Sequence, residues 1–257
     1  TIVLLGNMVN GSLLHLDDPA RIALLEQLPA LVQAADPPPL PDTRTARLLQ
    51  MLAYQIDSQH AQSGGPQDLL QRLARHAPAT TELAALGALL QTRSTLPATP
   101  LPGLEDTPLV LPKGSSLREV LTAVGWLTAQ RRAPHPAGAL TLPDRRCELL
   151  FVTLDKREGY HDRIAYRDYA ISTERFHWQT QHTAGPDTPA GRRYLESATN
   201  GWQFQLFVRT GKGAPYRACG PVTLIEAEGD RPMSITWGLQ VALPARWFRE
   251  FCVLRGV

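Results

Sequence analysis

A run of prolines near the middle of the chain most constrains what it can fold into. Pro97, Pro100, Pro102, Pro108 and Pro112 fall within residues 94–115. Each removes a backbone donor and fixes φ, so no helix crosses this stretch, and an extended surface connector is expected. The hydrophobic period changes across it. Before it, apolar residues recur at helical spacing; after it, they alternate or form short runs broken by glycine and proline. A chain of 257 residues divided in this way predicts a helical part over residues 12–95, a connector over 96–115 and a β-rich part over 116–257.

The helical part is punctuated by its own caps. Asp17, Asp18 and Pro19 offer an N-cap and a first-turn proline, and Ile22, Leu24, Leu25, Leu28, Leu31 and Val32 follow at helical spacing until Asp36 and three prolines. A second helix is expected from Asp42 or Thr43, with Leu48, Leu49, Met51, Leu52 and Ile56 on one side, ending before Ser63. Residues 67–76 and 80–92 read as a third and a fourth. Four short amphipathic helices make a small bundle. Ser116 with Glu119 resembles a capping box for a further helix over 117–128.

Strands are expected over residues 148–154, 203–209, 216–220, 222–226 and 234–241, with a closing helix over 244–251. The intervening Gly-Lys-Gly, Gly-Pro and Gly-Asp-Arg-Pro segments are turn chemistry, which favours antiparallel pairing. The fold class is therefore α+β: an N-terminal helical bundle followed by a mainly antiparallel curled sheet or pseudo-barrel.

Charge and cysteine content narrow the function. Lys and Arg number 26 against 24 Asp and Glu, a net charge of +2, so any contact with nucleic acid must come from a local patch. Cys147, Cys219 and Cys252 make neither a disulfide framework nor a CxxC knuckle, which suits a reducing cytoplasm. The apolar residues 1–5 are interrupted by Gly6, Asn7, Asn10 and Gly11, too early for a signal or membrane segment. The sequence carries no P-loop, GxGxxG, HExxH or GxSxG pattern, so no cofactor or metal is implied.

Chemistry-bearing residues concentrate in 151–181. Lys156, Arg157, Arg163, Arg167 and Arg175 alternate with Tyr160, Tyr166, Tyr169, Phe176 and Trp178, a mixture of phosphate-binding cations and stackable rings. His177, Gln179 and Gln181 follow, and Gln amides read base edges bidentately. The competing reading makes the rings core and the arginines a solvated rim; Phe176 and Trp178 share strand parity, so at least one buried ring is expected. Asp155, Asp162, Asp168 and Asp187 with Lys156 suggest a metal-dependent nuclease, but their spacing matches no recognised nuclease motif.

Seven blocks carry a family resemblance: LLFVTLDK at 149–156, YRDYAIS at 166–172, FHWQTQ at 176–181, GRRYL at 191–195, LFVR at 206–209, Gly220-Pro221-Val222 and RPMSITW at 231–237. In this order they resemble the DUF3427 domain, which occurs at the C-terminus of bacterial superfamily 2 helicases that often carry a phospholipase-D-type nuclease. LLHLDDPAR at 13–21, RLLQML at 47–52 and LREVLTAVG at 117–125 resemble the helical segment that precedes it. The resemblance implies a non-catalytic module that reads duplex DNA, base-modified or phosphorothioated, for a restriction or phage-defence helicase supplied in cis or in trans. Lys156, Arg157, Arg163, Arg167, Arg192 and Arg193 would hold the backbone, and Tyr166, Tyr169, His177, Trp178, Gln179 and Gln181 would line a base-reading pocket. Two rivals are a nuclease using the acidic residues above, and a protein-docking module using the helical part and residues 247–251.

Overall fold

A computed structural model describes residues 18–33, 42–93, 98–111, 113–128, 131, 138–154 and 168–252. The chain divides into two units, Thr1–Pro134 and His135–Val257. Among the described residues, no helix is long and apolar enough to cross a membrane.

In the first unit Asp18 caps α1 (Pro19–Gln33), its Oδ1 accepting from Ala20 N at 2.9 Å. Asp42 caps α2 (Thr43–Ile56) through Arg44 N and Thr45 N. Then come α3 (Ser58–Ala61), α4 (Pro66–Ala74) and α5 (Ala77–Arg93). The apolar positions that predicted these helices are their buried face: Ile22, Leu25, Leu49, Met51, Leu52 and Leu70 are inaccessible to solvent.

The proline-rich stretch is not the exposed connector expected. Its strands β1 (Thr99–Pro100) and β2 (Val110–Leu111) pair antiparallel, and Leu101, Leu104 and Leu109 between them are buried. The prolines only forbid helix; they do not stop intervening leucines from packing. Arg44 of α2 donates to the Thr107 carbonyl at 2.7 Å and so ties this hairpin to the bundle.

A short strand β3 (Gly114–Ser115) leads into α6 (Leu117–Ala123), where both bonds of the Ser116–Glu119 capping box form. This helix ends five residues before the expected limit because Gly125 adopts φ +76°, a left-handed stop. It groups with the helices rather than with the β-rich part. Arg47 donates to Ala123 O at 3.1 Å, and the buried Arg21 bonds Asp18, Glu119, Ser115 and the Gly114 carbonyl.

The second unit is one sheet, with strands β4 (Ala139–Leu142), β5 (Cys147–Thr153), β6 (Tyr169–Ala170), β7 (Arg175–Gln179), β8 (Gln203–Arg209), β9 (Tyr216–Glu228) and β10 (Ser234–Leu239). Their order is β4-β5-β8-β9-β10-β7-β6, antiparallel except for the parallel pair β5–β8. The chain leaves β5 for the far side of the sheet, builds β6 and β7, and returns through α7 (Pro189–Leu195) to lay β8 beside β5.

Among the described residues the outermost strands β4 and β6 do not pair, so the curled sheet is not closed. Curling nevertheless brings its two sides near each other. A Cβ on Gly138, which has φ +116°, would lie 2.0 Å from the Gln181 side-chain amide, so the residue before β4 and the residue just past β7 meet.

Two strands expected over 216–220 and 222–226 are one. Gly220 and Pro221 lie inside β9, where a register shift against β8 leaves one extra residue and Gly220 takes φ +91°. The glycine-proline pair serves a β-bulge here, not a turn. Inside the curl, Phe204 stacks on Trp237 at 5.2 Å, and Trp178 and Tyr194 pack against the same ring. The closing helix α8 (Ala245–Cys252) buries Phe251, and the Arg217 guanidinium lies over both Trp247 and Phe251.

Candidate functional site

Strand β7 splits the FHWQ block between two faces. Phe176 and Trp178 point into the core, while Arg175, His177 and Gln179 point to the other side. Trp178 meets Tyr194 of α7 edge-on at 5.4 Å. Thr188 starts α7 by accepting from Gly191 N at 3.0 Å. Gly191 is needed there, because a Cβ would sit 1.9 Å from the Gly185 carbonyl. This close seat brings Arg193 and Tyr194 over the beginning of β5.

There they meet Glu148, a carboxylate only 1% exposed within the apolar strand CELLFVT. Tyr194 Oη donates to its Oε1 at 2.5 Å. Arg193 Nε donates to its Oε2 at 3.0 Å and Nη2 lies 2.9 Å from the same oxygen in the ion pair while donating to Thr141 Oγ1 at 3.3 Å; Thr141 Oγ1 in turn donates to Oε2 at 3.3 Å. A buried carboxylate without such donors would cost several kcal/mol, so the cluster is a matched set. Burial pushes the Tyr194 hydroxyl pKa well up, and the neighbouring Glu148 charge and hydrogen bond add to the shift. That hydroxyl remains a donor at any physiological pH.

A cavity of about 360 Å³ opens beside this cluster. Ala139, Thr141 and Glu148 line it from β4 and β5, Trp178, Gln181, Thr183 and Ala184 from β7 and the segment after it, and Thr188, Pro189, Ala190, Arg193 and Tyr194 from α7. It occupies the gap that the open sheet leaves between its two sides. Its volume is at the lower end of the roughly 300–1,000 Å³ usual for small-ligand pockets.

The opposite face is different in character. The Tyr169 and His177 rings stack at 4.9 Å. Thr236 pairs with His177 on one side and Glu226 on the other, and Ser234 likewise lies between Gln179 and Glu228. Asp168 accepts from Gln179 N at 2.9 Å. Carboxylates thus surround this cluster, an unfavourable setting for phosphate.

Of the residues expected to touch DNA, the cavity gathers Trp178, Gln181 and Arg193. Tyr169, His177 and Gln179 lie on the other face, and Arg192 is exposed on α7. Trp178 is 4% exposed, so it serves as a wall and not as an open stacking platform. Lys156, Arg157, Arg163, Tyr166 and Arg167 lie outside the described residues, as do Asp155 and Asp162 of the nuclease alternative. Asp187 bonds Arg231, which holds its carboxyl pKa below the usual range. Among the described residues, no group of three or more His, Cys, Asp or Glu is placed to hold a metal ion.

Sequence reasoning missed Glu148, Tyr194, Thr141, Thr183 and Thr188. One signal was present: a single carboxylate inside an apolar strand is rarely buried without a partner. Arg146 was missed too. It takes φ +45° in the turn between β4 and β5, two residues before Glu148, and its side chain is exposed.

These features define an α+β protein whose open curled sheet encloses a polar-bottomed, aromatic-walled pocket. The sequence matches the family described as Domain of unknown function (DUF3427) over residues 111–251, more than half of its length. The chain belongs to that family. The match begins in β2 and therefore includes β3 and α6 together with the whole described sheet. No curated protein matches the chain.

Proposed function

We propose that this chain is a non-catalytic module that recognises duplex DNA, base-modified or phosphorothioated, on behalf of a restriction or phage-defence helicase acting in cis or in trans in the cytoplasm. The observation that carries this reading is the pocket between the two sides of the sheet. It combines an aromatic wall at Trp178 with polar groups at Gln181, Thr183 and Arg193, and exposed cations stand at Arg192 on α7 and at Arg146 in the turn between β4 and β5. Cations on a pocket's flanks position a phosphate backbone, whereas the polar interior discriminates what enters. The near-neutral net charge fits contact through so small a patch.

The carboxylates of the described residues support binding over phosphodiester cleavage. Glu148 is saturated by protein donors on one oxygen, and Asp168 and Asp187 are engaged by Gln179 and Arg231. Docking through residues 247–251 has less support, because Phe251 is buried against its own sheet and Trp247 is covered by Arg217.

The test is duplex binding by the double variant R146A/R192A. The proposal expects weaker binding and a salt dependence shallower by about two units of log K per log salt, since each neutralised phosphate contributes roughly 0.9. Unchanged affinity and slope would remove this face from the interface.

A further inference from the structure

We infer that the pocket receives one nucleobase swung out of the duplex, takes the four bases alike, and excludes the sugar-phosphate backbone. This rests on the DNA-recognition reading and names which part of the DNA the site would hold. A duplex is far too wide for a cavity of about 360 Å³, so only one of its components can enter. Proteins that handle a single base of a duplex bring it out of the stack into a pocket.

Which component enters follows from how the lining is already bonded. Its charged residues are Glu148 and Arg193, and they pair with each other. Arg193 also donates from Nη1 to the Pro189 carbonyl at 3.4 Å and from Nη2 to Thr141, and its guanidinium lies 5.1 Å from the Trp202 ring centre. Every guanidinium nitrogen is engaged, so no two-pronged face is left for a phosphate. The Thr188 hydroxyl donates to the Gly185 carbonyl at 2.8 Å and accepts from Gly191 N. Pro189 has no N–H to offer. A phosphate would have to break this set and then face the Glu148 carboxylate, whereas an uncharged ring disturbs none of it. The backbone stays outside, where Arg192 and Arg146 are exposed.

The shape of the lining suits a ring. Ala139, Ala184 and Ala190 keep the walls short, and Pro189 adds an apolar surface. Gln181 and Thr183 are the polar lining residues that stand exposed. A glutamine amide and a threonine hydroxyl each donate and accept. They serve an amino edge and a carbonyl edge equally, so hydrogen bonding rejects none of the four bases. Selection then falls on the ease of extrusion and on the size of the ring with its substituents, and a base modification changes both.

The experiment measures the full chain by anisotropy against labelled DNA hairpins that differ at one position: fully paired, a bulged C, A, G or T, a bulged abasic site, and fully paired with one phosphorothioate. The abasic bulge keeps the extra backbone unit and lacks only the base. The expected result is about equal affinity for the four bulged bases, each at least about tenfold tighter than the abasic and paired hairpins, because an unpaired base is the easiest to extrude. A190L fills the cavity from α7 with a helix-compatible residue, and T183F fills it from the exposed segment after β7. Either variant that keeps the parent's thermal midpoint should lower binding of the bulged bases to the level of the abasic hairpin and leave the paired hairpin unchanged. Equal binding of every hairpin would overturn the inference and leave DNA recognition standing. So would a bulge preference that both variants retain, one confined to particular bases, or a preference for the phosphorothioate hairpin that the variants abolish. Absence of binding to any hairpin would overturn the DNA reading and this inference with it.

Discussion

At Glu148 the chain places a carboxylate that is almost wholly buried and surrounds it with donors from two elements, α7 and β4. E148A would strand Arg193 and Tyr194, and because Arg193 keeps partial solvent access the expected loss is about 2 kcal/mol, below the 3–5 kcal/mol of fully buried pairs. Y194F removes one donor and should cost about 1–2 kcal/mol. Urea denaturation of both variants checks the order, and equal stability of E148A and the parent would contradict it. Thiol labelling is a second residue-scale check. Burial pushes the Cys147 thiol pKa up to about 12, an effect of desolvation that outweighs nearby Arg145, and raises that of Cys219 as well. At pH 8 the native protein should label at Cys252 first, with Cys147 and Cys219 reacting only on unfolding; rapid native labelling of all three would contradict the burial. The inward direction of Phe176 and Trp178 was legible from strand parity. The Glu148 cluster was not, because its partners Arg193 and Tyr194 come from a helix more than forty residues away, and no local pattern encodes that distance.

Short elements are held by specific terminal groups. The Thr188 hydroxyl caps α7, and T188A should cost about 1 kcal/mol and loosen the wall formed by Pro189 and Ala190. The closing helix α8 depends on Arg217, which bonds Glu250 and covers two rings. Burial raises the Glu250 pKa, but Arg217 and Arg246 outweigh it and leave the carboxyl below its usual value. A depressed folded-state pKa contributes stability that is full above the unfolded value of about 4.3 and is lost as pH falls through the lower folded value. E250Q should therefore flatten the fall in thermal midpoint across that acidic window while lowering the midpoint at pH 7; a parallel pH profile would contradict the ion pair. Strand β8 was legible from its apolar run, as were the helix starts at Asp18, Asp42 and Ser116 from their caps. The continuity of β9 through Gly220-Pro221 was not, since a turn and a bulge use the same two residues. Helix α7 was hidden for a related reason: seven residues are too few to establish a helical period, and its position comes from the glycine contact with Gly185.

For the molecule as a whole, the α+β class was legible because the period of hydrophobic residues changes once along the chain. Openness of the sheet was not legible: closure depends on whether the outer strands pair, and each strand's own pattern is the same either way. That openness creates the cavity on which the account of function rests. The direct test is anisotropy of the full chain with short duplexes, unmodified, base-modified and phosphorothioated, over a series of salt concentrations, with plasmid incubated in Mg²⁺ as a control for cleavage. The account predicts modification-dependent binding, a salt slope corresponding to about two to five phosphate contacts, and intact plasmid. Flat anisotropy for every duplex at low salt would contradict it and favour a protein-docking role, and Mg²⁺-dependent cleavage abolished by chelator would replace it with a nuclease.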